Sequence, residues 1–172
     1  MLNSAITGDA PAAIANTVDV QILHIYISPG HNFRGHHGRE PSAYETIEVE
    51  SINCVAGKGL EGDRYFEYEG NYKGQITFFD WYVYQSMCDT LGVIDRTPAA
   101  LRRNVITAGI NLNELIGKQF EIQGIQFEGT EECKPCYWMD RAFGPGTEAS
   151  MQGRGGLRAR ILTSGALHKK LS

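Results

Sequence analysis

Apolar residues in this chain recur mostly at every second position, in short runs broken by glycine. Over residues 18–27, Val20, Ile22, Ile25 and Ile27 nearly alternate and are β-branched, which predicts a strand with one irregularity, ended by Ser28-Pro29-Gly30. Alternation returns over residues 45–55, through Ile47 and Val49 and then Ile52 and Cys54. This predicts a second strand before the glycine-rich turn 57–62 that delivers Asp63 and Arg64. Residues 75–79 read as a short buried strand. Asp80 then caps a helix whose Trp81, Tyr84, Cys88 and Leu91 recur at helical spacing until Gly92 stops it. Residues 104–107, 119–122 and 125–130 are further short apolar segments, the last two joined by Gln123-Gly124 as in a hairpin. After another glycine turn, 153–156, Leu157, Ala159 and Ile161 fall at strand spacing.

Strands outnumber helices, and 20 glycines punctuate them, so a mainly β, folded-over sheet or barrel is favoured over a βαβ layer fold. Residues 1–17 lack a sustained period and read as a loosely held N-terminal extension before a single domain over 18–172. At 172 residues the chain is long enough to bury one core without disulfides. The formal charge of −4 supplies no general attraction to nucleic acid or to an anionic membrane, and no apolar stretch is long enough to span one. Four irregularly spaced cysteines do not read as a secreted disulfide framework, so reduced thiols and a cytoplasmic location are expected.

Candidate chemistry centres on Cys133-Lys134-Pro135-Cys136, where the Lys134 ammonium favours a thiolate that is nucleophilic and able to bind soft metals. On local sequence a chance pair of loop cysteines is as good a reading as a redox motif, because one C-x-x-C closes no tetrahedral site alone. Arg102-Arg103-Asn104 places planar forks suited to oxyanions before a strand, and a solvated strand entrance is the plainer reading of such a pair. Arg64, and Arg154, Arg158 and Arg160 around the second glycine turn, offer further cations on loops. His31, His36 and His37 form a basic loop that could hold a metal but reads better as the mouth of a pocket. Cys54 and Cys88 occupy apolar positions and read as core residues.

Taken in order, Gly62-Asp63-Arg64, Arg102-Arg103-Asn104-Val105-Ile106 with Gly109-Ile110, Leu115-Ile116-Gly117, Pro135-Cys136 and Gly155-Gly156-Leu157-Arg158-Ala159-Arg160-Ile161-Leu162 resemble the MOSC domain. This is the C-terminal domain of molybdenum cofactor sulfurases, also found alone in small bacterial proteins, and the likeness runs from about Val20 to Gly165. The resemblance implies a β-barrel-like fold with a few short helices and a pocket for the molybdenum cofactor (molybdopterin). It places Cys136 as catalytic residue and metal ligand and Arg64, Arg102 and Asn104 against the cofactor, with Arg103 in the middle position of the motif; Lys134 and Arg154 are expected to join them in holding it.

Two roles follow from that likeness: a sulfur carrier through a Cys136 persulfide, or a molybdenum-dependent reductase of N-hydroxylated small molecules. The partner would be a cysteine desulfurase, carrying its own pyridoxal phosphate, or an electron-transfer protein. A non-catalytic barrel that binds an anionic ligand or a partner protein is the alternative. The tail after Gly165 departs from the family's usual Gly-Asp turn and further strand, so a missing or altered last strand is expected.

Overall fold

The computed structural model describes residues 16–33 and 38–170. Its main sheet has eight strands in the order β1-β8-β9-β10-β6-β7-β2-β3, and a smaller sheet has the order β11-β4-β5. In chain order the strands are β1 (Asn16–Thr17), β2 (Gln21–Ile27), β3 (Ile47–Glu48), β4 (Ser51–Val55), β5 (Gly59–Leu60), β6 (Ile76–Asp80), β7 (Val105–Ala108), β8 (Gln119–Ile122), β9 (Ile125–Glu132), β10 (Leu157–Ile161) and β11 (Gly165–His168). The helices are α1 (Trp81–Leu91), α2 (Trp138–Phe143) and α3 (Thr147–Ser150), with 3-10 turns at Pro98–Leu101 and Leu112–Leu115. The architecture is thus the mainly β, barrel-like one expected, a mixed curled sheet with a few short helices.

The sheet is centred on β6, whose residues Ile76 to Phe79 are all buried between antiparallel β10 and parallel β7. That parallel pair needs a crossover, and α1 supplies it, so the fold contains one βαβ unit that the strand count alone did not suggest. The Asp80 carboxylate caps α1 by accepting from the amides of Tyr82 and Val83, and Gly92 closes it in the left-handed conformation. Phe78, Phe120 and Phe127 anchor one core cluster, while Phe79, Met87, Ile106 and Met151 form a second where the helices pack on the sheet.

The stretch 45–55 is not one strand. Its apolar positions change phase between Val49 and Ile52, and the chain changes sheets there: β3 pairs with β2, and β4 with β5 and β11. The tail also corrects the expectation of a lost last strand, since Gly165 to His168 pair with Cys54 to Ser51. Of the expected loose segment 1–17, only Asn16 and Thr17 fall within the described residues, where they pair with Phe120 and Glu121.

Gly129 shows how tightly the sheet is closed. The 3-10 turn at Leu112–Leu115 rests on it, through a bridge from Ile116 and bonds to Gly117 and Lys118, and a Cβ there would overlap the carbonyl oxygen of Leu115. Gly129→Ala should therefore destabilise the protein by more than about 2 kcal/mol in urea unfolding. Gly124→Ala, in the β8–β9 hairpin with open space around it, should cost about 1 kcal/mol through its positive φ alone. Equal midpoints for the two variants would contradict this packing.

Candidate functional site

Asp63, delivered by the glycine-rich turn after β5, is buried beside the end of β2. Its Oδ1 accepts from the Ser28 amide at 3.1 Å, from Asn104 Nδ2 at 3.3 Å and from Arg64 Nη1 at 3.2 Å, and its Oδ2 accepts from the Tyr65 amide at 3.1 Å. Asn104 is buried just before β7. Its Oδ1 accepts from the Thr77 amide and hydroxyl at 3.0 and 2.9 Å, and its Nδ2 also donates to the Tyr26 carbonyl at 3.2 Å. Every polar atom of the Asn104 side chain is thus engaged inside the protein, joining β2, β6 and the Asp63 turn at the root of β7.

This junction sets the cations around it. Arg64 follows Asp63 and donates from Nη2 to the Arg102 carbonyl at 3.1 Å. Arg102 ends the 3-10 turn in the left-handed conformation at φ 54°, short of β7, so strand alternation does not govern it and Arg103 can line the same hollow. Its guanidinium grips the root of the loop after β2, donating to Thr46 Oγ1 at 3.0 Å, Ser28 Oγ at 3.0 Å and the Gly30 carbonyl at 2.8 Å. Burial, and then repulsion from Arg64, draw its pKa down to about 10. Arg103 is buried and donates to the carbonyls of Gly155, Leu101 and Cys133, clamping the loop that carries the cysteines.

Between these groups lies a hollow of about 160 Å³ lined by Arg64, Arg102, Arg103, Lys134, Cys136 and Arg158, among others. A narrower arm of about 90 Å³ shares Arg64, Arg102, Arg103, Cys133 and Arg158 and is closed by Tyr72 and Thr77. Aromatic rings frame the mouth: Phe33 stacks on Trp138 at 4.9 Å, and His31 meets Tyr65 edge-on at 4.8 Å. Cys136 is exposed at the rim, immediately before α2, whereas Cys133 is buried deeper in the wall.

The expected site residues therefore separate by position. Arg64, Arg102, Arg103, Lys134 and Cys136 converge. Asn104 lies behind the wall as a tie, and Arg154 lines a different hollow of about 70 Å³ with Asp80 and Asn111. His31 lines the mouth, while His36 and His37 lie outside the described residues. Among the described residues, no three His, Cys, Asp or Glu side chains gather as a metal site.

Cys133, the first cysteine of the C-x-x-C pair, and Arg158, read from sequence only as a loop cation, also line the hollow although neither was assigned to the cofactor. Arg158 sits not on a loop but in β10, between the buried Leu157 and Ala159, and that alternation was the available signal that it projects from a rigid strand. Burial pulls its guanidinium down, but Cys133, Tyr72 and Glu131 outweigh burial and leave it above its ordinary value. The Glu131 carboxylate accepts from its Nη1 at 3.0 Å. Among the described residues only Asp63 and Glu131 offer ion-pair partners to the arginines of the hollow, so the donor set fits a ligand that brings anionic charge to the guanidiniums and a soft centre to the thiol.

A family model described as the MOSC domain matches residues 68–169. No curated protein sequence matches the chain significantly. Among solved structures, the YuaD protein of Bacillus subtilis superposes with a TM-score of 0.68 at 16% identity, covering 88% of this chain and 92% of that one. YiiM of Geobacillus stearothermophilus gives 0.62 at 15% identity over 87% and 71%. YiiM of Escherichia coli gives 0.58 at 16% identity over 86% and 65%. At these identities the likeness is one of fold.

Two measurements check the site. Alkylation of the native protein, mapped by mass spectrometry, should modify exposed Cys136 first. Cys54, whose thiol burial pushes up to about 12, and buried Cys133 should react only on unfolding, and labelling of either at the rate of Cys136 would contradict the geometry. Pyrophosphate should raise the melting temperature by relieving the crowding of Arg64 and Arg102. The double variant Arg64→Gln/Arg102→Gln should lose most of that rise, and an undiminished rise would place the anion elsewhere.

Proposed function

The chain belongs to the MOSC domain family, and on that premise we propose that it binds the molybdenum cofactor in the hollow between Arg64, Arg102 and Cys136 and reduces N-hydroxylated compounds there. The observation that carries this reading is the exposed Cys136 thiol facing a wall of guanidiniums with few carboxylates to balance them. When bound, the cofactor supplies a two-electron redox centre. Arg64 and Arg158 hold its anionic end, because each keeps donors that its bonds to the protein do not use. Arg102 adds charge while keeping the loop root in place, and Lys134 adds charge at the rim. Cys136 presents its sulfur as the protein's ligand to the metal.

Around that centre, the other groups position and shield. Arg103 holds the cysteine loop by its carbonyls, and Asn104 ties β2, β6 and the Asp63 turn together behind the arginines. Phe33 and Trp138 narrow the mouth, excluding water from the reacting atoms and guiding a small substrate towards Cys136. Cleavage of an N-hydroxyl bond consumes two electrons and two protons and releases water, and the electrons come from a separate electron-transfer protein.

The exposure of Cys136 also favours a second reading, sulfur carriage. A cysteine desulfurase, holding its own pyridoxal phosphate, would present a persulfide. The Cys136 thiolate attacks the outer sulfur, the donor's S–S bond breaks as the new one forms, and the donor thiolate leaves.

Metal analysis of protein expressed with abundant molybdate should find bound molybdenum that falls at least about tenfold in Cys136→Ser/Arg102→Ala, which corresponds to about 1.4 kcal/mol or more of lost binding. Unchanged occupancy would contradict the site. Mass spectrometry after incubation with a desulfurase separates the roles: one added sulfur on Cys136 favours carriage, and molybdenum retained through purification favours reduction. Stabilisation by phosphate that survives Cys136→Ala, with no molybdenum retained, would instead mark an anion-binding barrel without catalysis.

A further inference from the structure

The strand pairing that ends β2 builds a second cavity, apart from the hollow of the cysteine loop. Tyr26 on β2 lies directly across from Glu48 on β3, and His24 stacks beside Tyr26 with ring centroids 5.7 Å apart. From α1, Trp81 meets His24 at 5.7 Å, and Tyr84, one turn later, meets Trp81 at 5.1 Å. These rings form a continuous row along a cavity of about 370 Å³, closed at its far end by the turn 96–99. The cavity is larger than the hollow of about 160 Å³ that carries Cys136.

Two polar groups in this cavity are left open. Tyr26 is buried as a residue and its backbone is fully engaged in the sheet, but its hydroxyl, which takes no partner among the described residues, is reached by solvent at the cavity. Such a hydroxyl is hydrated, and a ligand that displaces its water must replace the lost hydrogen bond. The second open group is Glu48. Its Oε1 accepts from His24 Nδ1 at 2.8 Å and from Lys169 Nζ at 3.0 Å, whereas Oε2 has no partner among the described residues. Burial raises the Glu48 carboxyl, but the His24 and Lys169 bonds outweigh it and keep the group below its usual range, hence ionised at neutral pH.

The charges around the cavity favour a cation. Lys169 is shared between Glu48 and Glu50, leaving a net negative charge on that trio, and Arg96 is paired with Asp95 at 2.8 Å. Aromatic faces attract cations and stack on flat rings. An anion would meet the open carboxylate oxygen, and a purely apolar molecule would leave both open groups unsatisfied.

We propose that the cavity between β2, β3 and α1 is a binding site for a small planar organic cation with N–H donors, an aryl ammonium or amidinium. Its flat part lies on Trp81 and Tyr84, and its N–H edge donates to Glu48 Oε2 and the Tyr26 hydroxyl. The site does not depend on the cofactor reading, because it uses none of the residues assigned to the cofactor.

Benzamidine is the probe, with benzoate as the flat anion of matching shape. Isothermal titration of the full chain should show saturable benzamidine binding in the millimolar range or tighter, as suits a ligand of this size, and none for benzoate. Tyr26→Phe removes one oxygen with no partner in the protein, so it should fold as the wild type and bind about threefold or more weakly. Glu48→Gln should weaken binding about tenfold. In heteronuclear NMR the shifted resonances should include the Trp81 indole N–H and the His24 and Glu48 amides. Absence of saturable binding, equal binding of benzoate, wild-type affinity in folded Tyr26→Phe, or shifts confined to the Cys136 hollow would each overturn the proposal. Glu48→Gln removes an anchor of Lys169; should it fail to fold, Tyr26→Phe and the NMR map carry the test.

Discussion

The side-chain amide of Asn104 sits where several separate parts of the chain meet, and the site's geometry depends on it. One end satisfies the amide and hydroxyl of Thr77 in the central strand, and the other bonds the Tyr26 carbonyl in β2 and the buried Asp63 carboxylate. Asp63 in turn holds the Ser28 amide, and Ser28 accepts from the Arg64 amide through its carbonyl at 2.8 Å. In a low-dielectric interior these bonds are strong and their loss is expensive, because each broken one strands a buried polar group. The junction therefore fixes loops that would otherwise be free to separate.

What the junction holds in place is unfavourable by itself. Arg102 and Arg64 face one another in a partly buried hollow, with Arg103 and Arg158 nearby, and the burial that depresses Arg102 also makes its charge costly. Folding tolerates this because Arg102 and Arg103 are tied to loop carbonyls and because Asp63 and Glu131 offset part of the charge. The remainder is a positive, preorganised wall opposite an exposed thiol. Such a wall favours an anionic ligand without further rearrangement.

Much of the framework was legible from pattern. The helix from Asp80 to Gly92 declared both of its caps, and the β8–β9 hairpin declared its turn, because these signals are local. The division of residues 45–55 between two sheets was also written there, as a phase change between Val49 and Ile52, but only the partner strands show that it is a division. The short helices α2 and α3 left no readable period, since six and four residues complete too few turns for one.

The site was legible in its residue types and less so in its directions. Arg102 and Arg103 both line the hollow because Arg102 adopts a left-handed backbone, which a strand-based reading does not anticipate. Arg154 belongs elsewhere and Arg158 belongs here, a difference set by where β10 begins. Hydrogen exchange on Asn104→Ala tests the role of the junction most directly. The amides of Thr77, Ser28 and Arg64 should lose protection together, since one side chain couples them. Loss at Thr77 alone, with Ser28 and Arg64 as protected as in the wild type, would contradict that coupling.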